Sequence, residues 1–552
     1  MKQACLALLL LTSLTAGREY QDRWFYLSRN LTADSELDEL RTLAATARQH
    51  GYNGVCWAGL ETVYRWPAER LARLEQAKAI CAAEGLEIIP LVFSVGYGGG
   101  ALGYDRNLAV GLPASATFKV EGTTATLEPE AGVVFKNAGY EEWRDGRAVG
   151  WAFHDKPGEV TFADQEVKHS GTASLRLENP GARGLGSHAR AMQVVPVKPR
   201  RHYRLSFWLK AAEALPLGSL RVQIYSGGEP AVNLVASSIN EATFDWREFS
   251  LEFNSLNHEQ VRIYAGTWGG QSGAFWLDDW RLEEIGLNNI VRRDGCPLTV
   301  TGADGTVYEE GRDFEPVVDP KLLNFANRPG PALTLTPTTR IPAGARLTVH
   351  WYHAMPVQGG QISVCMSEPK LYEYYEAAAA GLARHVPSRK FLLSMDEIRQ
   401  GGTDLADQQR NLTMGQILGD CVTRQQEILR RQQPGATCYI WSDMFDPGHN
   451  AHGDYYQVQG DFTGSWDCIP KDLVMACWYG QRAKESLAFF SERGFATLAA
   501  AYYDTDDLSG SRAWLEALAL TPKATGIMYT TWRNKYALLA PFGDLVREFE
   551  RR

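Results

Sequence analysis

The 552-residue chain lacks several things whose absence narrows what it can do. Its longest basic runs are pairs such as Arg200-Arg201 and Arg292-Arg293, and its net charge, 56 minus 65, is −9. Nucleic acid needs a basic stripe that neutralises phosphates, so no nucleic-acid partner is expected. Beyond residue 17 no stretch approaches the 18 apolar residues of a membrane span. No Cys-x-x-Cys occurs, which argues against a zinc site, and no Gly-x-Ser-x-Gly, which argues against a serine esterase. The glycine loop Gly96–Gly100 has no Lys-Ser/Thr and reads as opening no helix, so it is not a phosphate loop.

What is present is ordinary globular composition: 45% hydrophobic, 22% charged and 11% aromatic. That excludes a disordered scaffold or a fibrous repeat, and the length allows about three domains. Sixteen Trp and 23 Tyr are many; sugar faces stack on such rings, although most Trp in any protein is core. Lys2, the apolar run Ala4–Leu14 and the small residues Thr15-Ala16-Gly17 read as a signal peptide over 1–17. The run is too short for an anchor, so the expectation is export to periplasm or medium. Cys5 comes too early in it to be lipidated. Of the eight remaining cysteines, Cys56, Cys438 and Cys477 sit in apolar, strand-like runs and read as buried thiols, although an exported chain permits disulfides.

The two ends of the chain resemble each other. Trp24–Leu27, Gly54–Trp57 and Glu87–Phe93 read as strands, with helices at Glu36–His50 and Pro67–Gly85. The alternation resumes at a helix over Glu368–His385, capped by Ser367. Strands Lys390–Met395, Thr437–Trp441, Leu473–Trp478, Phe495–Tyr502 and Gly526–Trp532 follow, with helices at Thr413–Gln432, Gln481–Arg493, Gly510–Leu518 and from Pro541. Three strands before the interruption and five after it, in about 270 residues, have the arithmetic of a TIM barrel. The expected fold class is therefore α/β: a (β/α)8 TIM barrel over 18–103 and 368–552, interrupted after strand three. An open doubly wound sheet has the same alternation. The polar and aromatic residues at the strand ends favour the barrel.

The interruption reads as all-β. Short alternating strands separated by turns fill 130–287, at the spacing of a β-sandwich. A smaller β unit, 288–367, returns the chain to the barrel. The stretches Asn137–Glu141, Gly150-Trp151, His169–Leu175 and Phe275–Asp279 resemble jelly-roll carbohydrate-binding modules. That resemblance implies a structural calcium with Glu141 and Asp279 as ligands; exposed acids in β-turns are the bland alternative.

The most informative segment is Arg389–Glu397, where an apolar strand runs into adjacent carboxylates, Asp396 and Glu397. Two like charges at a buried strand end push their pKa values apart, which suits a site needing one acid and one base. The same dipeptide at Asp38-Glu39 lies on a helix and means nothing. With the helix beginning Ser367-Glu-Pro-Lys-Leu-Tyr, this segment resembles family 20 glycoside hydrolases, the exo-β-N-acetylhexosaminidases. Arg29, Tyr502-Tyr503-Asp504 and Trp532 match that family at the ends of strands one, seven and eight.

The resemblance implies substrate-assisted hydrolysis, an exception to the two-carboxylate retaining scheme. Glu397 would be the general acid and base, Asp396 would orient the substrate's 2-acetamido group, and Tyr502 would hydrogen-bond its oxygen. Arg29, Asp443, Asp504 and Asn534 would grip sugar hydroxyls, and Trp57, Trp441, Trp478 and Trp532 would wall the site. No catalytic cofactor is implied. The partner would be a glycan or polysaccharide ending in β-linked GlcNAc or GalNAc. Asn534 stands where the family has glutamate, and the family's histidine segment after strand three is absent, which puts sugar identity in doubt. Two alternatives stay open: a glycosidase for non-acetylated sugars using Asp396 or Asp443 as a conventional carboxylate, and a non-catalytic glycan-binding protein. The loop Asp443–His452 reads as substrate-contacting rather than metal-binding, with His449 and His452 exposed. Arg399 and Asp404 read as surface polarity.

Overall fold

The computed structural model describes residues 19–178, 181 and 188–551. The signal-peptide expectation, on 1–17, and Cys5 lie outside the described residues. No described helix is long and apolar enough to cross a membrane.

The expected fold class, α/β with a (β/α)8 TIM barrel, is corrected by the secondary structure. Strand makes up 33% of the chain and helix only 24%, and most strands lie in antiparallel sheets. At the centre is a closed, all-parallel barrel of eight strands: Asp22–Ser28, Gly54–Ala58, Glu87–Val92, Lys390–Leu393, Thr437–Trp441, Val474–Cys477, Ala496–Ala500 and Ala524–Tyr529. The β/α repeat fails between the fifth and sixth of these. Short 3-10 turns at Asp443–Phe445 and Ser465–Asp467 and a two-residue strand, Gln457–Val458, occupy that connection, with no α-helix. The reason is local: Asp, Gly, Asn and His crowd residues 443–464 and leave no apolar stripe at helical spacing.

Inside the barrel Trp24, Cys56, Ile89, Leu392, Tyr439, Leu498 and Met528 pack together. Gly54 is needed there, because a Cβ would come within 2.7 Å of the Trp24 ring. At the lower end the Tyr439 hydroxyl donates to Asp22 at 2.7 Å, and Lys390 pairs with the same carboxylate at 3.0 Å. Outside, helices such as Ser35–Gln49, Ala68–Ala83, Pro369–His385 and Met414–Gln432 bury one face each against the strands. The helix after the interruption begins at Pro369 with Glu368 at its N-cap, one residue beyond the expected Ser367. A six-residue helix, Gly99–Tyr104, follows the glycine loop, which the sequence reading missed.

The insertion is nested. Strands Leu112–Glu121 and Thr124–Leu127, before the sandwich, join Thr299–Gly302, Val307–Tyr308, Leu333–Thr334 and Arg346–His353 in one six-stranded sheet. The small β unit therefore draws on both sides of the sandwich rather than on 288–367 alone. Leu112–Glu121 alternates buried and open positions as a one-sided sheet requires. The sandwich has two five-stranded antiparallel sheets. One holds Thr161–Asp164, Ser174–Glu178, His202–Leu215, Phe244–Asn254 and Ser272–Glu284; the other holds Phe153–His154, His188–Pro196, Leu220–Ser226, Asn233–Ser238 and Gln260–Trp268. Their core centres on Trp280, whose ring stacks on Phe207 and Phe135 and whose Nε1 donates to the Tyr140 hydroxyl at 2.9 Å.

Candidate functional site

A cavity of about 420 Å³ opens at the C-terminal ends of the barrel strands. Tyr26, Leu91, Ser94, Tyr97, Ser394, Asp396, Glu397, Trp441, Trp478, Tyr503 and Trp532 line it. The rings form a box: Trp532 lies 5.1 Å from Tyr26, 5.7 Å from Trp441 and 6.1 Å from Tyr503, and Tyr503 stacks on Trp478 at 6.2 Å. A mostly apolar cavity with a few convergent polar groups is the form of a small-molecule site.

The fourth strand stops at Leu393, so Ser394 to Glu397 form the loop that carries the carboxylates. Glu397 sits at φ 50°, and Phe93, Asp504 and Asn534, at other strand ends around the cavity, also have positive φ. Such backbone persists where the surroundings over-determine it, and it concentrates at functional sites. Gly96 makes room for the turn, since a Cβ there would lie 2.2 Å from the Asp396 carbonyl oxygen. Gln361, from the end of the insertion, donates from Nε2 to the carbonyls of Gly96 at 2.9 Å and Glu397 at 2.6 Å.

The Glu397 carboxylate pairs with Arg399 at 2.7 Å and accepts a hydrogen bond from the Tyr97 hydroxyl. Arg399 also donates to the Gln361 side-chain oxygen and faces the Tyr456 ring at 4.9 Å. Asp396 accepts from Ser394 Oγ at 3.0 Å. Burial, reinforced by the Glu397 charge, holds the Asp396 carboxyl above the ordinary carboxylate range. Asp443 is fully buried beneath the cavity. It accepts from the Glu397 backbone N–H at 2.8 Å, Asn450 Nδ2 at 2.8 Å and Trp478 Nε1 at 3.2 Å. Burial first, then the Asp396 and Glu397 charges, push its carboxyl up as well. Three acidic groups thus share one low-dielectric corner, with one guanidinium beside them.

Of the expected site residues, Asp396, Glu397, Trp441, Trp478 and Trp532 line the cavity. The others stand elsewhere. Tyr502 is buried against Tyr529 at 4.2 Å, and its hydroxyl donates to the Thr505 carbonyl at 2.8 Å. Successive residues at a strand end point opposite ways, so its neighbour Tyr503 faces the cavity instead. Arg29 is held by Glu39 at 2.6 and 2.8 Å and donates to Asn534 Oδ1 at 2.6 Å, which engages both groups with each other. Trp57 is core, its Nε1 donating to the Arg29 carbonyl at 2.9 Å. Asp443 braces Glu397 and Trp478 from behind, and Asp504 accepts from the Trp532 backbone N–H at 2.9 Å.

Arg399 and Asp404, expected on the surface, are buried. Arg399 is the charge partner of Glu397, and Asp404 pairs with Arg293 at 2.7 Å. His449, expected to be exposed, packs 4.4 Å from both Trp478 and Tyr479, and burial lowers its imidazole to about 4. Sequence reasoning passed over Tyr97 and Gln361 and put Arg399 on the surface. Only Tyr97 left a signal, as the lone aromatic in the glycine loop after strand three.

In the sandwich, oxygens of Glu141, Asp278 and Asp279 converge around Gly139, whose missing Cβ would lie 3.4 to 3.8 Å from them. Each already has protein partners: Glu141 accepts from Thr172 N at 2.8 Å, Asp278 from His169 N at 2.9 Å and Asp279 from Ser170 Oγ at 2.7 Å. Burial raises the Asp278 carboxyl to about 6. The Asp279 carboxylate is also bound by His169 Nδ1 at 2.6 Å, and the three acids do not come close enough together to form a three-donor cation group.

Residues 133–272 match the sequence profile of a family described as a carbohydrate binding domain. The chain therefore carries a carbohydrate-binding domain, which points to glycan as the kind of partner it takes there. No curated protein matches the chain. Among solved structures, a module in complex with β-1,4-galactotriose is similar at 16% identity, covering 28% of this chain and 98% of its own, with a TM-score of 0.21. The xylan-binding domain CBM22-1 of Paenibacillus barcinonensis Xyn10C is similar at 14% identity over 27% of this chain and 91% of its own, TM-score 0.21. The N-terminal cellulose-binding domain of Cellulomonas fimi β-1,4-glucanase C is similar at 15% identity over 24% and 90%, TM-score 0.18.

Proposed function

We propose that the chain is an exported glycoside hydrolase that removes terminal β-linked N-acetylhexosamine, the sandwich holding the glycan while the barrel cavity cleaves it. The observation that supports this is the placing of the acids. Among the residues lining the cavity, the two carboxylates are consecutive, Asp396 and Glu397, on one strand end. A conventional retaining pair faces across the sugar, about 5–5.5 Å apart, so that one member attacks the anomeric carbon. The family resemblance supplies a mechanism that suits such a site: the substrate's own 2-acetamido oxygen acts as the nucleophile, and no facing carboxylate is needed.

In this reading Glu397 protonates the glycosidic oxygen as the acetamido oxygen closes on the anomeric carbon, then takes a proton from the incoming water. Asp396 accepts the acetamido N–H, and its raised pKa is met by the positive charge that develops on that nitrogen. Tyr503 takes over the oxygen-binding role first expected of Tyr502. The aromatic box excludes water and stacks on the sugar.

The second reading, a glycan-binding protein without turnover, is favoured by the Arg399–Glu397 pair, which occupies the carboxylate that must carry the proton. One assay separates the two. Aryl β-GlcNAc and β-GalNAc are offered beside aryl β-glucoside and β-galactoside, with Glu397→Gln as control. Turnover confined to acetamido substrates and lost in the variant supports the assisted mechanism. Turnover of plain glycosides refutes it, and no turnover with retained glycan binding favours the second reading.

A further inference from the structure

The outer face of one sandwich sheet leads, residue by residue, to the barrel cavity. Strand registers place Phe153 beside Met192, Met192 beside Tyr264, Tyr264 beside Gln223 and Gln223 beside Ala236. These side chains share one face. Their strand neighbours Ala191, Val222, Ile224, Ile263 and Ala265 point the other way, into the sandwich core. Ala236, on the edge strand, bridges to Gln358, and the Gln358 side chain accepts from the Tyr456 hydroxyl at 2.9 Å. The Tyr456 ring faces Arg399, which pairs with Glu397. A second tie locks the same edge down: Gln457 Nε2 donates to the Leu234 carbonyl.

The face carries what a sugar surface needs. Tyr225, Tyr264 and Trp268 form a half-buried aromatic file, with ring centroids 6.0 and 6.4 Å apart. The Tyr225 phenol is raised by burial and next by the Tyr456 phenol. Asn233 adds a half-buried amide, and the buried Gln223 accepts from the Tyr225 hydroxyl at 3.0 Å. Two of the face's three arginines, Arg190 and Arg262, are neutralised by Asp155 at 2.8 Å and Glu229 at 2.6 Å, and the third, Arg221, donates to the Gly218 carbonyl at 2.8 Å, which favours a ligand of little charge over a polyanion. Phe153, Met192 and Tyr264 are half-buried while Gln223 and Ala236 are buried, so the open part of the row spans two interstrand steps of about 4.8 Å, about 10 Å in all, enough for about two pyranose rings.

We infer that the sandwich face and the barrel cavity form one continuous site, which takes a neutral linear glycan of several residues with its terminal sugar in the cavity. The sandwich then acts as the arm of the active site that holds the rest of the chain, and the substrate is a polymer or long oligosaccharide. The inference builds on the proposed cleavage at the cavity but is tested by binding alone, so the two can fail separately.

The test uses full-length protein carrying Glu397→Gln. Dimers and hexamers of β-1,4-linked GlcNAc, glucose, xylose and galactose are titrated calorimetrically, without and with Tyr264→Ala or Trp532→Ala. Expected is one hexamer per chain, bound at least tenfold more tightly than its dimer, and weakened about tenfold or more by either variant. The dimer should lose affinity with Trp532→Ala and be untouched by Tyr264→Ala. The same pattern for a hexamer other than that of GlcNAc would uphold the continuous site and refute the N-acetylhexosamine reading. Two hexamers per chain, each abolished by one variant alone, would show separate sites and overturn the inference. So would the absence of length dependence in all four series.

Discussion

Asp443 offers the sharpest test of the electrostatics beneath the cavity. Its carboxyl, ordinarily at 3.8, is pushed up to about 7 by burial and then by the neighbouring acids. Because the folded-state value lies above the unfolded one, the native chain keeps a proton that the unfolded chain has lost between about pH 4 and 7. Stability therefore falls as pH rises through that window and levels off above it. At the alkaline limit the difference corresponds to about 4 kcal/mol, shared with Asp396, whose shift has the same sign. Asp443→Asn removes this penalty but leaves an amide N–H₂ facing Trp478 Nε1, a lost acceptor worth about 1–3 kcal/mol. Relief of the buried charge outweighs the lost acceptor at high pH, and the lost acceptor decides at low pH. Calorimetric melting should show the variant less stable than the parent at pH 4.5 and more stable at pH 8, with the curves crossing between about pH 5 and 7. Parallel curves over that range would refute the argument, since they would mean that Asp443 is ionised in the fold as freely as in water.

Four further outcomes follow from the same geometry. Gly96→Ala drives a Cβ to 2.2 Å from the Asp396 carbonyl, so it should lower stability by about 1–3 kcal/mol and glycan cleavage or cavity binding by about a hundredfold; a neutral effect on both would show the loop free to shift. Gln361→Leu strands the Glu397 carbonyl and one arm of Arg399 while Ser363 still holds the Gly96 carbonyl, at about 1–3 kcal/mol for each buried group left without a partner, and its denaturation midpoint should fall accordingly. Thr413→Ala breaks the capping box with Gln416 on the Met414–Gln432 helix, with an expected loss of about 1 kcal/mol and no change in glycan affinity. Among the eight described cysteines, all free, only Cys468 is not fully buried; native thiol titration should label it fast and the others only after denaturant.

What the sequence revealed of this architecture came from periodicity. All eight barrel strands were legible as short apolar runs, and their ends fell within three residues of those observed, because a strand buried on both faces reads as a continuous apolar stretch. The missing helix after Trp441 was legible too, since no apolar stripe at helical spacing runs through residues 443–464 and none was read there. The strand Leu112–Glu121 escaped notice although it alternates cleanly, because its partner, Arg346–His353, lies more than two hundred residues away. At the site, the adjacent acids and the tryptophans were visible as residue types at strand ends. Which of two neighbours faces the cavity was not: Tyr502 and Tyr503 differ by one residue, and a one-residue difference reverses the side. Arg399 and Asp404 look like surface polarity in a sequence, since their partners, Glu397 and Arg293, are fixed only by the tertiary fold.

The nesting of the insertion has a physical rationale in the same residues. A loop bearing Asp396 and Glu397, with Glu397 at positive φ, does not hold its shape by propensity. Its carbonyls must be tied by donors from outside the barrel strand, and Gln361 provides them from the last residues of the insertion. The insertion leaves the barrel through the loop after strand three and returns through Gln361 and Ser363, both of which donate to Gly96 of that loop. Its entry and exit thus clamp the wall of the cavity that carries Tyr97, and the edge of its sandwich is fixed to Tyr456 and Gln457 of the barrel's fifth connection through Gln358 and the Leu234 carbonyl. An independent tethered module would need none of these bonds, because a flexible linker suffices to raise local concentration. Rigid attachment at two places matters only if the angle between sandwich face and cavity matters, as it does when one ligand lies across both.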